Sequence, residues 1–372
     1  MVEKKSEAHI KWVKQVGNFY ISNQLLGRGE YSEVFLGCFK NDLSKKVACK
    51  IMKQELIMND SYVIETLNRQ VAMLKPIVHE NVVRFYEMME TGKNCYFFFE
   101  FCALGTLESY LQKKKGNISE CKAVLILLDI CEGYKALYKL NIIHRDLKPA
   151  NVLMDETGVK ISDFSFAKVM NPDEKNQMII QSFVGTPVYS PLEILEGKPY
   201  SSKCDVWSLG VIFYQMLCRR LPFMWKTVEN NTLMSGGIKK LIDEIKKNPL
   251  DYPIGMKLSK SLKVLIEKML QKDEKKRISW EDLFLEVEKL DFHDLSEIPL
   301  AWKSLDPVKN MERSVITKGI SITKSMGCSI FHSKLKSSQY FNEEDLKEVD
   351  IDEKVEGVQV PEFRNWKSLN DL

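Results

Sequence analysis

The sequence lacks any apolar run that approaches the roughly 18 residues of a membrane-spanning helix. Its N-terminal stretch, MVEKKSEAHIKWVKQV, lacks the continuous apolar segment of a signal peptide. We therefore expect no transmembrane segment and a cytoplasmic protein, with the nucleus as the open alternative. An excess of one charge is also missing, because 54 Lys and Arg residues accompany 51 Asp and Glu residues and leave a net charge of +3. So small a charge does not indicate nucleic acid as a partner.

Metal-ligand spacing is missing among the nine cysteines, and their number is odd. Both features favour free thiols in a reducing compartment over a disulfide framework. The chain does contain enough apolar material for a sizeable core, since hydrophobic residues make up 44% of its 372 residues. This length admits one two-lobed domain of about 250–300 residues with a tail, or two ordinary domains.

The pattern of apolar residues changes from strands to helices near the first third of the chain. Up to Phe101, five segments alternate like strands around one helical segment, SYVIETLNRQVAMLK, which Pro76 ends. After Leu104, the segments ISECKAVLILLDICEGYKALYKL, CDVWSLGVIFYQML and LSKSLKVLIEKML have the composition of buried helices. We predict an α+β fold, with a small antiparallel β-sheet lobe at about 16–101 and a larger, mostly helical lobe at about 102–290.

The two ends of the chain lie outside these lobes, as an N-terminal extension at 1–15 and a C-terminal tail at 291–372. Residues 303–338 carry seven basic and two acidic side chains, and residues 343–356 carry eight acidic and two basic ones. Such blocks predict a solvated, partly disordered tail. In the alternative interpretation the basic block docks on a membrane or an acidic partner, so a regulatory partner of the tail is an open expectation.

Glycines and charged residues recur in a defined order along the chain. Gly27 and Gly29 lie in a turn between two predicted strands, where backbone N–H groups can approach phosphates without a Cβ in the way. Lys50 ends the apolar strand VACK. Each feature alone is weak, because glycine turns join most hairpins and a strand-end lysine is commonly a surface charge. Four polar residues follow within IIHRDLKPANVLMDETGVKISDFS: Asp146, Lys148, Asn151 and Asp163.

This order of glycine loop, lysine, His-Arg-Asp, Asn and Asp-Phe resembles that of protein kinases. Gly185-Thr-Pro-Val-Tyr-Ser-Pro-Leu-Glu193 resembles their substrate-docking loop, and Asp205-Val-Trp207-Ser-Leu-Gly210 resembles the buried helix that anchors their catalytic loop. The resemblance extends from about Val16 to Leu290 and implies the two-lobed protein kinase fold. The lysine in HRDLKPAN is similar to that of serine/threonine kinases, and the stretch Asp-Phe-Ser-Phe-Ala is similar to the ULK and calcium/calmodulin-type groups.

The resemblance implies a serine/threonine kinase that uses ATP and Mg²⁺ and acts on protein substrates. Asp146 would orient the substrate hydroxyl and accept its proton, while Lys148 would neutralise the transferred phosphoryl group. Lys50 would hold the α- and β-phosphates. Asn151 and Asp163 would hold magnesium, which prefers oxygen ligands. Two short strands between these two residues are predicted to bring both side chains to one metal-phosphate site.

Further residues are implied to line the nucleotide. Phe99 has the position of the gatekeeper behind adenine, and Glu100 and Cys102 would offer backbone groups to the purine. The remaining implied contacts lie on the glycine loop, on the strands beside it and in the larger lobe: Leu26, Gly27, Gly29, Ser32, Val34, Ala48, Lys50 and Leu153. For the three that would sandwich the ring, Val34, Ala48 and Leu153, simple core packing stays open as the alternative.

Two departures from the family pattern leave the expected chemistry in place. Ser165 replaces the glycine after Asp-Phe, so we expect an altered balance of loop conformations with metal binding retained. Leu192 replaces a proline, but the expected buried pair of Glu193 with Arg277 does not depend on that proline.

The third departure, Gln70, bears on activity itself. Kinases keep a glutamate here to pair with the strand lysine, nine residues before the sequence His79-Glu-Asn. Glu65 lies about 140° further round the helix and is a poor substitute. Gln70 can accept a hydrogen bond from Lys50, though a bond without charge assistance is roughly twofold weaker. A weakly active or non-catalytic nucleotide-binding scaffold is therefore the alternative, although a scaffold has no need for the complete catalytic set.

Regulation is expected in the segment at 171–184, which has the composition of a loop. Phosphate on Ser182, added by an upstream activating kinase, would pair with a basic pocket of Arg145 and Lys168 that has no partner in the unmodified loop. Thr186 is the weaker candidate for phosphorylation, because its equivalent in the family more often bonds the catalytic aspartate and lysine directly. The alternative is that Ser182 is an ordinary exposed serine and that Arg145 braces the loop.

Overall fold

The computed structural model describes residues 10–29, 32–53, 67, 70–114, 118–170, 185–223, 228–229, 232–233 and 237–290. These residues form two compact units. The first unit contains the described residues up to Val71 together with 85–101, and the second contains 72–84 and the described residues from 102 onwards. The predicted tail and Ser182 lie outside the described residues.

The first unit is a six-stranded antiparallel sheet in the order β1-β2-β3-β4-β6-β5. Its strands are β1 (Trp12–Val16), β2 (Phe19–Arg28), β3 (Ser32–Phe39), β4 (Asp42–Lys53), β5 (Phe85–Glu90) and β6 (Asn94–Glu100). The sequence predicted five of these. The additional strand, β1, lies mostly within the segment assigned to the N-terminal extension and pairs with β2. It is an edge strand in which only Val16 is buried and the other four positions are exposed or half-buried, which explains its weak apolar signal.

The sheet buries one of its faces in an aromatic and aliphatic core. The core residues are Val16, Phe19, Ile21, Val47, Cys49, Met89, Tyr96 and Phe98. The rings of Phe19 and Phe98 stack at 3.9 Å between centroids. Because side chains alternate along a strand, residues 48 and 50 of β4 point to the opposite face. Of the helix predicted at 61–75, the structure describes Leu67 and residues 70–75, and Leu67 and residues 70–74 are helical.

The second unit is mostly helical. Its helices are α1 (Leu107–Lys113), α2 (Glu120–Lys139), α3 (Leu192–Leu195), α4 (Lys203–Cys218), α5 (Gly237–Lys247), α6 (Lys260–Met269) and α7 (Trp280–Glu288). Short antiparallel pairs join β7 (Ile142–Ile143) to β10 (Lys168–Val169), β8 (Val152–Asp155) to β9 (Gly158–Ile161), and β11 (Val228–Glu229) to β12 (Thr232–Leu233). A sheet unit followed by a helical unit confirms the α+β prediction.

Helices α2 and α4 form the centre of the second unit. In α4 all but two of the residues from Lys203 to Cys218 are buried, and α2 buries its apolar face along its whole length. Ser119 caps α2 by accepting a bond from the backbone N–H of Lys122, which satisfies one of the unpaired donors at the helix start. In the described part of the chain, no helix has both the length and the apolar character needed to cross a membrane.

Candidate active site

The carboxylate of Asp146 is buried and accepts three hydrogen bonds. Its Oδ2 accepts from Lys148 Nζ at 2.8 Å and from Asn151 Nδ2 at 3.0 Å. Its Oδ1 accepts from Thr186 Oγ1 at 2.9 Å, and Lys148 Nζ donates to the same hydroxyl at 2.9 Å. A single hydroxyl oxygen therefore lies within hydrogen-bond distance of both a carboxylate and an ammonium group.

A second buried carboxylate, that of Asp205 on α4, holds the backbone before Asp146. Asp205 Oδ2 accepts from His144 N at 2.7 Å and from the Tyr134 hydroxyl at 2.6 Å, and Oδ1 accepts from Arg145 N at 2.9 Å. Burial raises the pKa of Asp205, and these donors oppose that rise. Arg145 has a left-handed backbone with φ 65°, which is uncommon for a residue other than glycine. The anchoring of two successive amides stabilises this conformation.

The imidazole of His144 joins the catalytic loop to the end of β9. Its Nδ1 accepts from Asp146 N at 3.3 Å, and its Nε2 lies 3.0 Å from Ser162 O. Because a carbonyl oxygen only accepts, both bonds form when the ring is neutral and protonated at Nε2. The ring of Phe164, which is also buried, lies 5.1 Å from the His144 ring.

The β8–β9 hairpin brings the two predicted metal ligands towards each other. Val152 pairs with Ile161, and Ser162 donates to Asn151 O through both its backbone N–H and its hydroxyl, each at 2.9 Å. Asp163 follows Ser162 directly. The predicted pair of strands between Asn151 and Asp163 is thus present, and its open end lies immediately beside both residues.

The side chains of this pair suit magnesium. Asn151 uses its amide nitrogen for both of its bonds to Asp146, at 2.8 Å to the carbonyl oxygen and 3.0 Å to the carboxylate. These bonds direct the amide nitrogen, and not the amide oxygen, towards Asp146. Asp163 is exposed, has φ 60°, and its Oδ1 accepts from Ser165 Oγ at 2.5 Å. Mg²⁺ takes oxygen ligands and is commonly held by one or two carboxylates together with substrate phosphates.

In the first unit, the predicted phosphate and adenine residues share one face of the sheet. Val34 pairs with both Gly27 and Lys50 across neighbouring strands, and Ala48 pairs with Phe99. Directly paired residues project to the same side of a sheet, so this set lies opposite the aromatic core. Lys50 is half-buried on this face.

The glycine turn itself is only partly available for phosphate contacts. Gly27 has open space where a Cβ would lie. The N–H of Gly29 already donates to Ser32 O at 2.7 Å and closes the turn between β2 and β3. Leu26 is exposed on β2. The N–H of Gly29 is therefore engaged in the turn, whereas no atom blocks the approach of a phosphate to Gly27 from the side where a Cβ would lie.

The residues predicted to contact the purine divide between the two units. Glu100 ends β6 in the first unit, whereas Cys102 is a buried residue of the second. Within the second unit, the segment after Cys102 runs beside β8, since Leu104 N donates to Met154 O at 3.2 Å. Leu153 lies half-buried on the same strand.

The predicted pair of Glu193 and Arg277 is a buried, two-pronged ion pair. Arg277 Nη1 lies 2.6 Å from Glu193 Oε1, and Nη2 lies 3.0 Å from Oε2. Arg277 also donates to Lys203 O and to Gln271 O, each at 3.1 Å. Leu192 begins helix α3 immediately before Glu193, so the replaced proline leaves the pair intact.

The prediction of a basic pocket without a partner is wrong for Arg145. Its Nε donates to Phe166 O at 2.6 Å and its Nη1 donates to Tyr200 Oη at 3.2 Å. The guanidinium group of Arg145 is half-buried and has five N–H donors. Phe166 and Tyr200 accept bonds from it without any phosphate. Lys168 lies on β10 opposite Ile143.

Gln70 lies in the helical residues 70–74 and is half-buried. Glu65, the alternative partner for Lys50, lies outside the described residues. A neutral amide therefore occupies the helix position at which kinases keep a glutamate.

The contacts of two residues of the site, Tyr134 and Gly185, were not predicted from the sequence. Tyr134 stacks on Trp280 at 3.6 Å between ring centroids and donates to Asp205. Its signal was a tyrosine on the buried face of α2, because the hydroxyl of a buried tyrosine needs a partner. Gly185 has φ 95°, and a Cβ there would lie 2.6 Å from Arg145 O. Only glycine permits this close approach to the catalytic loop.

Comparison with known proteins identifies the family. Residues 20–286 match the protein kinase domain family. The serine/threonine-protein kinase atg1 of Dictyostelium discoideum is 33% identical over 280 residues, which cover 73% of this chain and 39% of the relative. Human serine/threonine-protein kinase ULK1 is 30% identical, with 72% of this chain and 25% of the relative covered. The Arabidopsis thaliana SNF1-related protein kinase catalytic subunit alpha KIN12 is also 30% identical, with shares of 84% and 59%.

The chain belongs to the protein kinase domain family, and two of these relatives are serine/threonine-protein kinases by name. The presence of atg1 and ULK1 among the relatives agrees with the ULK-type resemblance of the Asp-Phe-Ser-Phe-Ala stretch. The chain spans between 25% and 59% of the length of these three relatives.

Proposed function

We propose that this chain is an active protein kinase that transfers the γ-phosphate of ATP to serine and threonine hydroxyls of protein substrates. The observation that carries the proposal is the shared contact of Asp146 and Lys148 with one hydroxyl oxygen, that of Thr186. Phosphoryl transfer to a hydroxyl needs a carboxylate that orients the hydroxyl and a cation beside the transferred group.

In this proposal Asp146 binds the substrate hydroxyl and accepts its proton. A carboxylate has about four acceptor positions, so one further hydroxyl can bind beside its three present donors. Those donors fix the direction of the carboxylate before the substrate arrives, which is the positioning that accelerates such reactions. The ammonium group of Lys148 lies 2.8 Å from Asp146 Oδ2 and neutralises negative charge in the same place.

ATP and magnesium are the proposed cofactors. Lys50 would hold the phosphates, and Gly27, Val34 and Ala48 share its face of the sheet. Asn151 and Asp163 would hold magnesium, which when bound neutralises charge on the phosphates. Glu100, Cys102 and Leu153 are the proposed purine contacts.

A weakly active or non-catalytic scaffold is the second candidate, and Gln70 is the observation that favours it. The hydrogen-bonded set around Asp146 favours activity, because nucleotide binding alone requires neither the Lys148–Thr186 contact nor the anchoring by Asp205. Catalysis therefore explains more of the structure than binding alone.

Regulation, location and partners are separate parts of the proposal. An upstream kinase would phosphorylate Ser182, and comparison of turnover by Ser182→Ala with that of phosphorylated protein tests this.

A cytoplasmic location is supported by the cysteines, since none of the eight in the described ranges forms a disulfide. The charged tail would bind a regulatory partner, which loss of binding after deletion of 291–372 would test.

The substrate class is tested with peptide libraries that contain serine, threonine or tyrosine as the only hydroxyl residue. We expect magnesium-dependent transfer from ATP to serine or threonine peptides and none to tyrosine peptides. Asp146→Asn should strongly lower this transfer. Asp243→Asn, which makes the same change at an exposed aspartate on α5, is its matched control and should leave the transfer unchanged. Preferential transfer to tyrosine would contradict the assigned class.

A further inference from the structure

Ser165 stands where most protein kinases have glycine, and its hydroxyl contacts the predicted metal ligand. Ser165 Oγ donates to Asp163 Oδ1 at 2.5 Å. This distance is at the short end of the range for a hydroxyl that donates to a carboxylate, where the bond is charge-assisted and strong. A glycine has no atom with which to form it.

The donor is held firmly from both sides. Phe164, which precedes Ser165, is buried against the ring of His144. A turn follows, in which Ala167 N donates to Phe164 O at 3.1 Å. Phe166, which follows Ser165, has its carbonyl oxygen bonded to Arg145 Nε at 2.6 Å. Ser165 therefore presents its hydroxyl from an anchored turn, whereas the side chain of Asp163 is exposed.

We propose that Ser165 is a positioning residue whose hydroxyl holds the carboxylate of Asp163 in the orientation that binds the metal. The inference rests on the proposed function, because it takes Asp163 as a magnesium ligand. Metal-binding carboxylates are themselves hydrogen-bonded in most sites, and loss of such a partner typically lowers metal affinity by about 10–100-fold. The bond takes one acceptor position of a carboxylate that has about four, so coordination is still possible.

This role differs from the effect expected from the sequence, which was a restricted backbone. The two effects are separable by substitution. Ser165→Ala removes the hydroxyl and keeps the restricted backbone, Ser165→Gly removes the hydroxyl and restores backbone freedom, and Ser165→Thr keeps a hydroxyl. If the hydroxyl matters, Ala and Gly behave alike and Thr resembles the wild type.

The test measures metal binding without turnover. ADP is titrated calorimetrically into the full chain at a series of Mg²⁺ concentrations, and melting curves verify that each variant is folded. We expect Ser165→Ala and Ser165→Gly to raise the Mg²⁺ concentration for half-maximal enhancement of ADP binding by about tenfold. Ser165→Thr should match the wild type, and ADP affinity without metal should be the same in all four proteins.

Equal Mg²⁺ dependence in Ser165→Ala and the wild type would overturn the inference, as would a defect confined to Ser165→Gly. Asp163→Asn separates this failure from that of the proposed function. If Asp163→Asn abolishes the Mg²⁺ effect and Ser165→Ala does not weaken it, only the role of Ser165 is wrong. If Asp163→Asn also leaves the Mg²⁺ effect unchanged, Asp163 is not a metal ligand, and the metal site of the proposed function fails together with the role of Ser165.

Discussion

Among single residues, Tyr134 shows how a buried hydroxyl contributes to the geometry of the catalytic loop. It supplies one of three donors to Asp205, and the other two are the amides of His144 and Arg145, which precede Asp146, the proposed proton acceptor. The carboxylate thus ties helix α2 to the loop through α4. Removal of the tyrosine hydroxyl leaves the buried carboxylate with one donor fewer.

We predict that Tyr134→Phe lowers both the free energy of unfolding and kcat. The ring can still stack on Trp280, so the loss reflects the hydrogen bond, worth about 1.5–3 kcal/mol when one partner is charged. Denaturant unfolding and steady-state kinetics measure the two effects. Tyr110→Phe is the control, because Tyr110 lies near the surface on α1. Unchanged stability and kcat in Tyr134→Phe would show that the bond to Asp205 has no such role.

The effect of Tyr134→Phe depends on pH with a definite sign. Burial raises the pKa of Asp205, and the hydrogen bonds from the Tyr134 hydroxyl and the two backbone amides oppose that rise. Loss of the hydroxyl therefore raises this pKa further. The stability difference between variant and wild type should be full at pH values above the raised pKa of Asp205, where its carboxylate is ionised, and should shrink as pH falls through that pKa. A difference that is constant with pH would mean that the hydroxyl does not act through this carboxylate.

Gln70 is the residue on which the scaffold alternative depends. We predict that Gln70→Glu leaves kcat/KM unchanged or raises it, because a carboxylate gives Lys50 a charged partner. Gln24→Glu, at an exposed position of β2, controls for the added charge. A clear fall in kcat/KM of folded Gln70→Glu protein would mean that glutamine has a specific role or that another residue pairs with Lys50.

Among structural elements, the ion pair of Glu193 and Arg277 joins α3 to the segment before α7. Arg277 is 1% exposed and bonds two backbone carbonyls besides the carboxylate. We predict that Arg277→Ala destabilises the protein by about 3–5 kcal/mol, because it leaves a buried carboxylate unpaired. Thermal unfolding should show a clear fall in Tm.

Arg28→Ala is the control for this prediction, since Arg28 forms an exposed pair with Glu33 whose loss typically costs about 0–1 kcal/mol. If Arg277→Ala kept the Tm of the wild type and changed substrate preference instead, the pair would be a substrate contact and not a structural one.

The elements that the sequence predicted are those with long apolar patterns or tight spacing. Helices α2, α4 and α6 are continuous apolar segments, and the β8–β9 hairpin follows from the short interval between Asn151 and Asp163. Strand β1 was missed because it is a short edge strand. Helices α1 and α7 are short, with 7 and 9 residues, and were not singled out.

The sequence predicted the residue types of the candidate site and the contacts of Glu193 with Arg277 and of Thr186 with Asp146, but not the contacts that anchor the loop before Asp146. The order of Asp146, Lys148, Asn151 and Asp163 along the chain indicated the chemistry. The bonds of Tyr134 to Asp205 and of Arg145 to Phe166 join segments that lie far apart in sequence or run in irregular turns. Such pairings depend on tertiary packing, which residue periodicity does not specify.

On the scale of the whole molecule, the chain combines a sheet unit that carries Lys50 with a helical unit that carries Asp146 and the two proposed metal ligands, Asn151 and Asp163. The match to the protein kinase domain family at residues 20–286 includes both units. The central claim is that these residues serve catalysis and not nucleotide binding alone. A variant that removes only the proton acceptor separates the two possibilities.

The most direct measurement compares wild type and Asp146→Asn for two quantities in the same preparations, γ-phosphate transfer to a serine peptide and ADP affinity in the presence of Mg²⁺. We predict that Asp146→Asn lowers kcat by about 10²–10⁴-fold, the usual contribution of a general base. ADP affinity should stay unchanged, because the other nucleotide residues are intact. If both proteins bound ADP and transferred phosphate at the same low rate, the chain would be a nucleotide-binding scaffold and the catalytic account would be wrong.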